Sequence, residues 1–294
     1  MLRLWILQSG IPLAEIPPVP NGYNFITCLT HDVDFVGIRN HFFDHTMFGF
    51  LYRALFGTLV DVLRRRAPFR KLVKNVKAAA SLPFIYLGPG RDFWYQFERY
   101  MKIEKGLTST FFVIPFKRKA GEGFLEDGPK KRECKYDISD ISSDIDYLVS
   151  KGHEVGLHGI NAWISEKHAR RELDRVRSSI GNASIGVRMH WLYFGENSFN
   201  HLDKAGFLYD STYGYNDAVG YRAGTSQVFK PFIAQKMLEL PLHIQDTALF
   251  YRGRMGLSET EAFGLIQQLL RNAKRYGGVL VINWHHRSIG PERY

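Results

Sequence analysis

The sequence predicts an α/β protein built as a barrel of mostly parallel strands, and three observations predict it. Short apolar runs alternate with amphipathic stretches along most of the 294 residues, which is the pattern of repeating βα units. No internal repeat or low-complexity tract interrupts that alternation. Polar, chemistry-bearing residues fall at the C-terminal ends of the apolar runs, and in a parallel barrel those ends share one face. A chain of this length can bury one large core or two small ones. We read it as a single domain over residues 1–294.

The apolar start, Met1 to Leu7, stops at Gln8-Ser9-Gly10, too short for the apolar core of a signal peptide. No stretch has the length and apolarity of a membrane span, so the expected location is cytoplasmic, with a peripheral membrane contact and a longer parent chain left open. Cys28 and Cys134 stand far apart with no CxxC partner, and reduced thiols are expected. Phe25 to Leu29 reads as the first strand.

A helical insertion follows over residues 39–90. Met47 to Val60 is strongly apolar, and Val62 to Arg91 carries eight Lys/Arg and no acid, most of the formal charge of +10. The pair reads as a basic amphipathic helical insertion. Its cations are either the solvated face of a packed helix or a contact for anionic lipid or anionic glycan. No nucleic-acid partner is expected, because the aromatic residues there form no stacking platform and no recognition motif is present.

Arg91 to Lys105 reads as a helix closed by Gly106, and Thr110 to Ile114 as a strand. A loop rich in Lys, Gly and Asp spans Lys117 to Lys135. Ser139 is placed as the cap of a helix running to Ser150, and Glu154 to Leu157 is the next strand. Ser165 to Ile180 is helical because Ala169, Leu173, Val176 and Ile180 form one apolar stripe. Ile185 to Met189 reads as a strand, Asn197 to Lys204 as a short helix and Met237 to Leu242 as strand-like. Ser258-Glu259-Thr260-Glu261 is a capping box opening a helix to about Tyr276. Val279 to Trp284 is a last strand, apolar apart from Asn283.

His31-Asp32, His158, Arg188-Met189-His190 and His285-His286 each sit at the C-terminal end of one of these strands. Core packing does not explain such a convergence, since buried His, Asp and Arg need partners. Asp32 and Asp34 are two apart and point the same way on extended chain. One can act as a base while the other holds a cation, although a D-x-D triplet also makes an Asx turn. His158 is a candidate imidazole ligand, whereas His153, at the other end of its strand, reads as structural. Arg188 can pair with a carboxylate and hold it ionised, and His190 on the same face can add a ligand. His285 stands where a general acid could protonate a leaving group.

These residues, taken in order, resemble the polysaccharide deacetylases of the NodB-homology type (carbohydrate esterase family 4). Thr30 to Asp34 is similar to the family's first motif and Thr110 to Val113 to its second strand. Gly152 to His158 is similar to the strand that delivers a metal histidine, and Val187 to His190 to the arginine motif with a histidine after it. Tyr209-Asp210-Ser211-Thr212 resembles the fourth motif and Trp284-His285 the final strand. Gly186 to Leu192, Gly220 to Thr225 and Glu239 to Leu242 resemble the subgroup associated with O-antigen and exopolysaccharide synthesis. The resemblance runs from Phe25 to His286.

It implies a distorted (β/α) barrel of about seven parallel strands and metal-dependent removal of N-acetyl groups from an amino sugar. Asp32 would be the base for the attacking water, with Arg188 orienting it. Asp34 and His158 would bind a divalent ion, zinc by the same resemblance. His285 would protonate the departing amine and Asp210 would steady His285. One position departs from the family pattern: the second metal histidine, four residues after the first, is Ala162 here. A catalytic zinc usually has three protein ligands. His190 is the preferred substitute, with His31, His286 and Asn161 as weaker ones.

Three functions remain open on sequence: a sugar N-deacetylase, an amidohydrolase for a small non-sugar amide, and a non-catalytic glycan-binding protein with a degenerate metal site. Trp163, Trp191, Tyr193, Tyr213 and Tyr215 suit sugar stacking and favour a carbohydrate partner. Ala162 favours the third reading, and the set Asp32, Asp34, Arg188 and His285 opposes it.

Overall fold

The computed structural model describes residues 2–12, 19, 22–123, 132–181 and 184–293. Residues 124–131 of the expected Lys117–Lys135 loop lie outside the described residues. Among those described, the strands are β1 (Ile26–Val33), β2 (Ser109–Val113), β3 (Glu154–Gly159), β4 (Gly186–Met189), β5 (Tyr209–Asp210), β6 (Leu238–Glu239), β7 (Leu242–Gln245) and β8 (Val279–Asn283). They form a single sheet in the order β6-β5-β4-β3-β2-β1-β8-β7, with every pairing parallel.

The two ends of that order close on each other. β6 and β7 are separated only by Leu240 and Pro241, so they are one interrupted stave. Its first part pairs with β5 and its second part with β8. Proline has no N–H to donate, and the pairing changes side where Pro241 interrupts it. The strand-like run expected at Met237 to Leu242 thus extends to Gln245 and counts as one stave of seven. Arg188 of β4 bonds directly to Thr30 and Asp32 of β1. Three strand spacings in a flat sheet are about 14 Å, so this contact crosses the lumen of a curled one.

Close packing inside the barrel sets some residue types. A Cβ on Gly186 would stand 2.1 Å from the Tyr209 ring, so this stave accepts only glycine there. The main apolar core lies where Ile145, Leu148, Leu173 and Val176 of the helices Ser142–Ser150 and Glu166–Ile180 meet Val155, Leu157 and Val187 of β3 and β4.

Two helix boundaries differ from expectation. The helix expected over Arg91 to Lys105 is confined to Phe97–Ile103. Upstream, the Asp92 carboxylate accepts from the backbone N–H groups of Ile38, Arg39 and Trp94 at 2.9–3.0 Å, which holds residues 91–96 as a bend. Downstream, the cap is Asp137 rather than Ser139. Asp137 accepts from Ser139 N while Asp140 accepts from Asp137 N, a reciprocal box. The box around Ser258 and Glu261 is formed as expected.

In the insertion, helical turns run end to end from His45 to Leu63, and a second helix covers Phe69–Leu87. Met47, Phe50 and Ala54 pack on Ala78, Leu82, Ile85 and Trp94. Buried Asn75 donates to Thr58 Oγ1 at 2.8 Å, which ties the two helices together.

Candidate active site

Alternation along β1 sends Thr30 and Asp32 into the lumen and His31 to the outer face. Buried Asp32 is held on both oxygens. Arg188 Nη1 donates to Oδ1 at 3.0 Å and Asn283 Nδ2 donates to Oδ2 at 2.7 Å. Burial pushes the Asp32 pKa up, but His158, Arg188 and His285 outweigh it and keep the carboxyl below its ordinary range. Asp32 is therefore ionised at neutral pH.

Arg188 is fully buried and fixed at every nitrogen. Nε and Nη2 donate to the carbonyl and hydroxyl of Ser211 at 3.0 and 2.9 Å. Nη1 also donates to Thr30 Oγ1 at 2.7 Å. The Phe112 ring lies 4.5 Å from its guanidinium carbon. A guanidinium so held has little freedom, and the carboxylate it pairs with inherits that rigidity.

Asp34, just beyond β1, meets two imidazoles. His158 Nε2 is 3.1 Å and His190 Nε2 3.4 Å from Asp34 Oδ1. One ligand atom from each of the three residues lies within 4.8 Å of the others. His158 Nδ1 faces the Arg188 carbonyl at 2.9 Å. A carbonyl only accepts, so Nδ1 carries the proton and Nε2 is turned to the cluster, the arrangement that orients a metal histidine. Burial drives the His190 pKa down to about 3, leaving a neutral imidazole that can ligate. Burial raises the Asp34 pKa, but His190 and His158 outweigh it and hold it far below the ordinary range.

His190 reaches this position through an unusual turn. Trp191 and Leu192 both have positive φ, 64° and 53°, which costs energy for residues with a Cβ. Buried Arg132 donates to the His190 carbonyl at 3.0 Å and Asn216 to the Trp191 carbonyl at 2.9 Å, bracing it.

His285 follows β8. Its Nδ1 lies 2.6 Å from Asp246 Oδ1, and its backbone N–H donates to Asp246 Oδ2 at 3.1 Å. Burial pulls the His285 pKa down, but Asp246, Asp34 and Asp32 overcome it and raise it to about 9. With Nδ1–H on Asp246, the second proton sits on Nε2, 3.7 Å from Asp34 Oδ2.

The carboxylate that His285 meets is Asp246, not the expected Asp210. Asp210 accepts from Thr212 Oγ1 at 2.5 Å and bonds Glu239, behind Arg188. Burial raises both carboxyls, Asp210 to about 6, and their mutual repulsion adds to the rise of Glu239. The two carboxyls face each other rather than His285. Asp246 immediately follows β7, but a strand ended at Leu242 leaves it in a loop, so the strand-end rule passed over it. Asn283 carried a signal as the lone polar residue of an apolar run.

The weaker ligand candidates are engaged elsewhere. His31 bonds the Trp284 carbonyl and Glu104 at 2.9 and 3.0 Å. His286 faces the Phe35 carbonyl at 3.1 Å, and Asn161 Oδ1 accepts from Glu122 N at 2.9 Å. Asp32, Asp34, His158, His190 and His285 line one cavity of about 400 Å³. Of the five aromatics expected near the face, Trp191 and Tyr193 line it. Trp163, Tyr213 and Tyr215 are not among its lining residues.

No protein-family model matches the chain, and no curated protein matches it. Among solved structures it is similar to a candidate polysaccharide deacetylase from Mycobacterium smegmatis, at 18% identity and a TM-score of 0.48 over 94% of this chain and 82% of that one. It is also similar to a candidate polysaccharide deacetylase involved in O-antigen biosynthesis from Bordetella bronchiseptica, at 14% identity and a TM-score of 0.40, over 91% of this chain and 74% of that one.

Proposed function

We propose that this chain is a metal-assisted hydrolase that removes N-acetyl groups from an amino sugar in a polysaccharide or glycan precursor. One observation carries the reading: an ionised carboxylate on Arg188 and a protonated imidazole on Asp246 face one cavity, beside an Asp-His-His cluster. The cluster offers one carboxylate and two imidazoles, the three protein ligands of a catalytic zinc site. Asp34, His158 and His190 would hold the ion. Bound there, a divalent cation supplies charge that acidifies water and stabilises a carbonyl oxygen as it turns negative.

The other residues divide the proton transfers. Asp32 accepts a proton from the attacking water, because Arg188 and Asn283 fix it and leave a lone pair on each oxygen. His285 gives its Nε2 proton to the amide nitrogen as the carbon–nitrogen bond breaks, so a free amine and acetate leave. Asp246 keeps the imidazole oriented and supports its charged form. Phe35, Trp191 and Tyr193 on the cavity wall suit the apolar face of a sugar ring.

Incubating the protein with zinc and N-acetylated oligosaccharides is expected to release acetate. Hydrolysis of small non-sugar amides alone would replace the sugar, and the absence of both activity and bound metal would overturn the reading. The acid–base pair also sets a pH window. His285 acts when protonated, below its pKa, and Asp32 when ionised, above its own lowered pKa. The alkaline limb of kcat/KM is expected between the ordinary histidine value of about 6.5 and about 9, since a cation on Asp34 removes part of that carboxylate's pull on His285. Asp246→Asn should move this limb to lower pH and reduce kcat by about 10²–10⁴-fold; a pH–rate profile identical to wild type would show that Asp246 does not support the acid.

A further inference from the structure

The 45–63 helix is apolar on the wrong side as well as the right one. Its inner stripe, Met47, Phe50, Ala54 and Thr58, is buried. Its outer stripe, Phe48, Tyr52, Phe56, Leu59 and Leu63, recurs at helical spacing and stands in solvent, with Tyr52 67%, Phe56 66% and Leu63 74% exposed. A helix on the surface of a soluble domain normally carries polar residues there. Contrary to the expectation that no stretch has the length and apolarity of a membrane span, His45–Leu63 has both, with a mean hydropathy of 1.3 over an 18-residue window of which 22% is buried. The second helix repeats the feature with Phe69, Val73, Val76, Phe84 and Leu87 exposed. Ring contacts from Phe48 through Phe43 and Phe42 to Tyr86 join the two helices' apolar surfaces.

Cations border this surface. Arg64, Arg65, Arg66, Arg70, Lys74 and Lys77 are exposed, and no acid lies between Val62 and Arg91. We propose that the 42–87 hairpin is a docking element that seats this protein on an anionic phospholipid bilayer, with the apolar stripes in the interface and the cations on the headgroups.

Charge complementarity selects this occupant. A second copy meeting the same face across a two-fold axis would bring like charges together. An anionic glycan would satisfy the arginines and leave the aromatic stripe in water. Exposed apolar residues with adjacent lysines and arginines suit a helix lying in a membrane interface. The hairpin lies on the bilayer and does not cross it. Its inner stripe packs on Leu82, Ile85 and Trp94, and Asp61 pairs with Arg252 beyond the insertion. The docked face also adjoins the candidate active site. A second cavity, between this helix and residues 250–253, shares Arg293 with the first.

Co-sedimentation of the full chain with phosphatidylglycerol–phosphatidylcholine vesicles tests the proposal. Wild-type protein is expected to pellet with these vesicles and only weakly with pure phosphatidylcholine. The triple variant R64Q/R65Q/R66Q should partition roughly 100-fold less, at about a fivefold loss per arginine, and Phe56→Ser and Leu63→Ser should weaken binding further. All these side chains are exposed, and an unchanged circular dichroism spectrum confirms that each variant is folded. Wild-type protein that stays in the supernatant, or folded variants that bind as it does, would overturn the proposal. So would a lipid-free dimer that Phe56→Ser dissociates, which would give the face to a second copy.

Discussion

Asp32→Asn is expected to lower kcat by about 10²–10⁴-fold, the usual weight of a general base, while the protein still binds its metal. The metal-type cluster is Asp34, His158 and His190, none of which is altered. The same substitution leaves the fully buried Arg188 guanidinium without its carboxylate. Breaking a buried pair in this way costs about 3–5 kcal/mol of stability, to be read from urea unfolding. The pH dependence has a definite sign. The Asp32 pKa is lowered on folding, so the pair's contribution is complete above the unfolded value of about 3.9. It is lost as pH falls through the folded value, and Asp32→Asn should lack that contribution. A variant that turns over normally would remove Asp32 as the base.

His190→Ala should abolish tight metal binding. It removes one of three ligands, and even outer-shell changes around a metal cost about 10–100-fold in affinity. His31→Ala is the matched control, because His31 bonds Glu104 and the Trp284 carbonyl instead and should leave metal content unchanged. Elemental analysis of both variants reads the result. Full metal occupancy in the His190 variant would place the third ligand elsewhere.

The positions of these residues show what a single sequence can and cannot reveal. Asp32, His158 and Arg188 were legible because strand periodicity is strict and the ends of parallel strands share a face. The need for a ligand other than residue 162 followed from counting donors, and His190 was legible from its spacing to Arg188. The turn that brings His190 into place was not, since Trp191 and Leu192 adopt positive φ without the glycine or asparagine that usually marks it. Asp246 was hidden because the apolar run reads as a strand only to Leu242, whereas the stave continues on its other edge to Gln245 and delivers Asp246 to His285. Asp210 was placed by motif similarity alone, and its burial against Glu239 depends on long-range packing that local sequence does not encode.

In the proposed reaction one Asp-His-His site and one acid–base pair act together on an N-acetyl group. The most direct test measures metal content and acetate release on the same preparation, stripped by chelation and titrated back with zinc. The account predicts that acetate release from an N-acetylated oligosaccharide is absent at first and rises in proportion to bound zinc, saturating at a single ion per chain. Release that persists in the stripped protein, or a filled site that frees no acetate from any N-acetylated sugar, would contradict it.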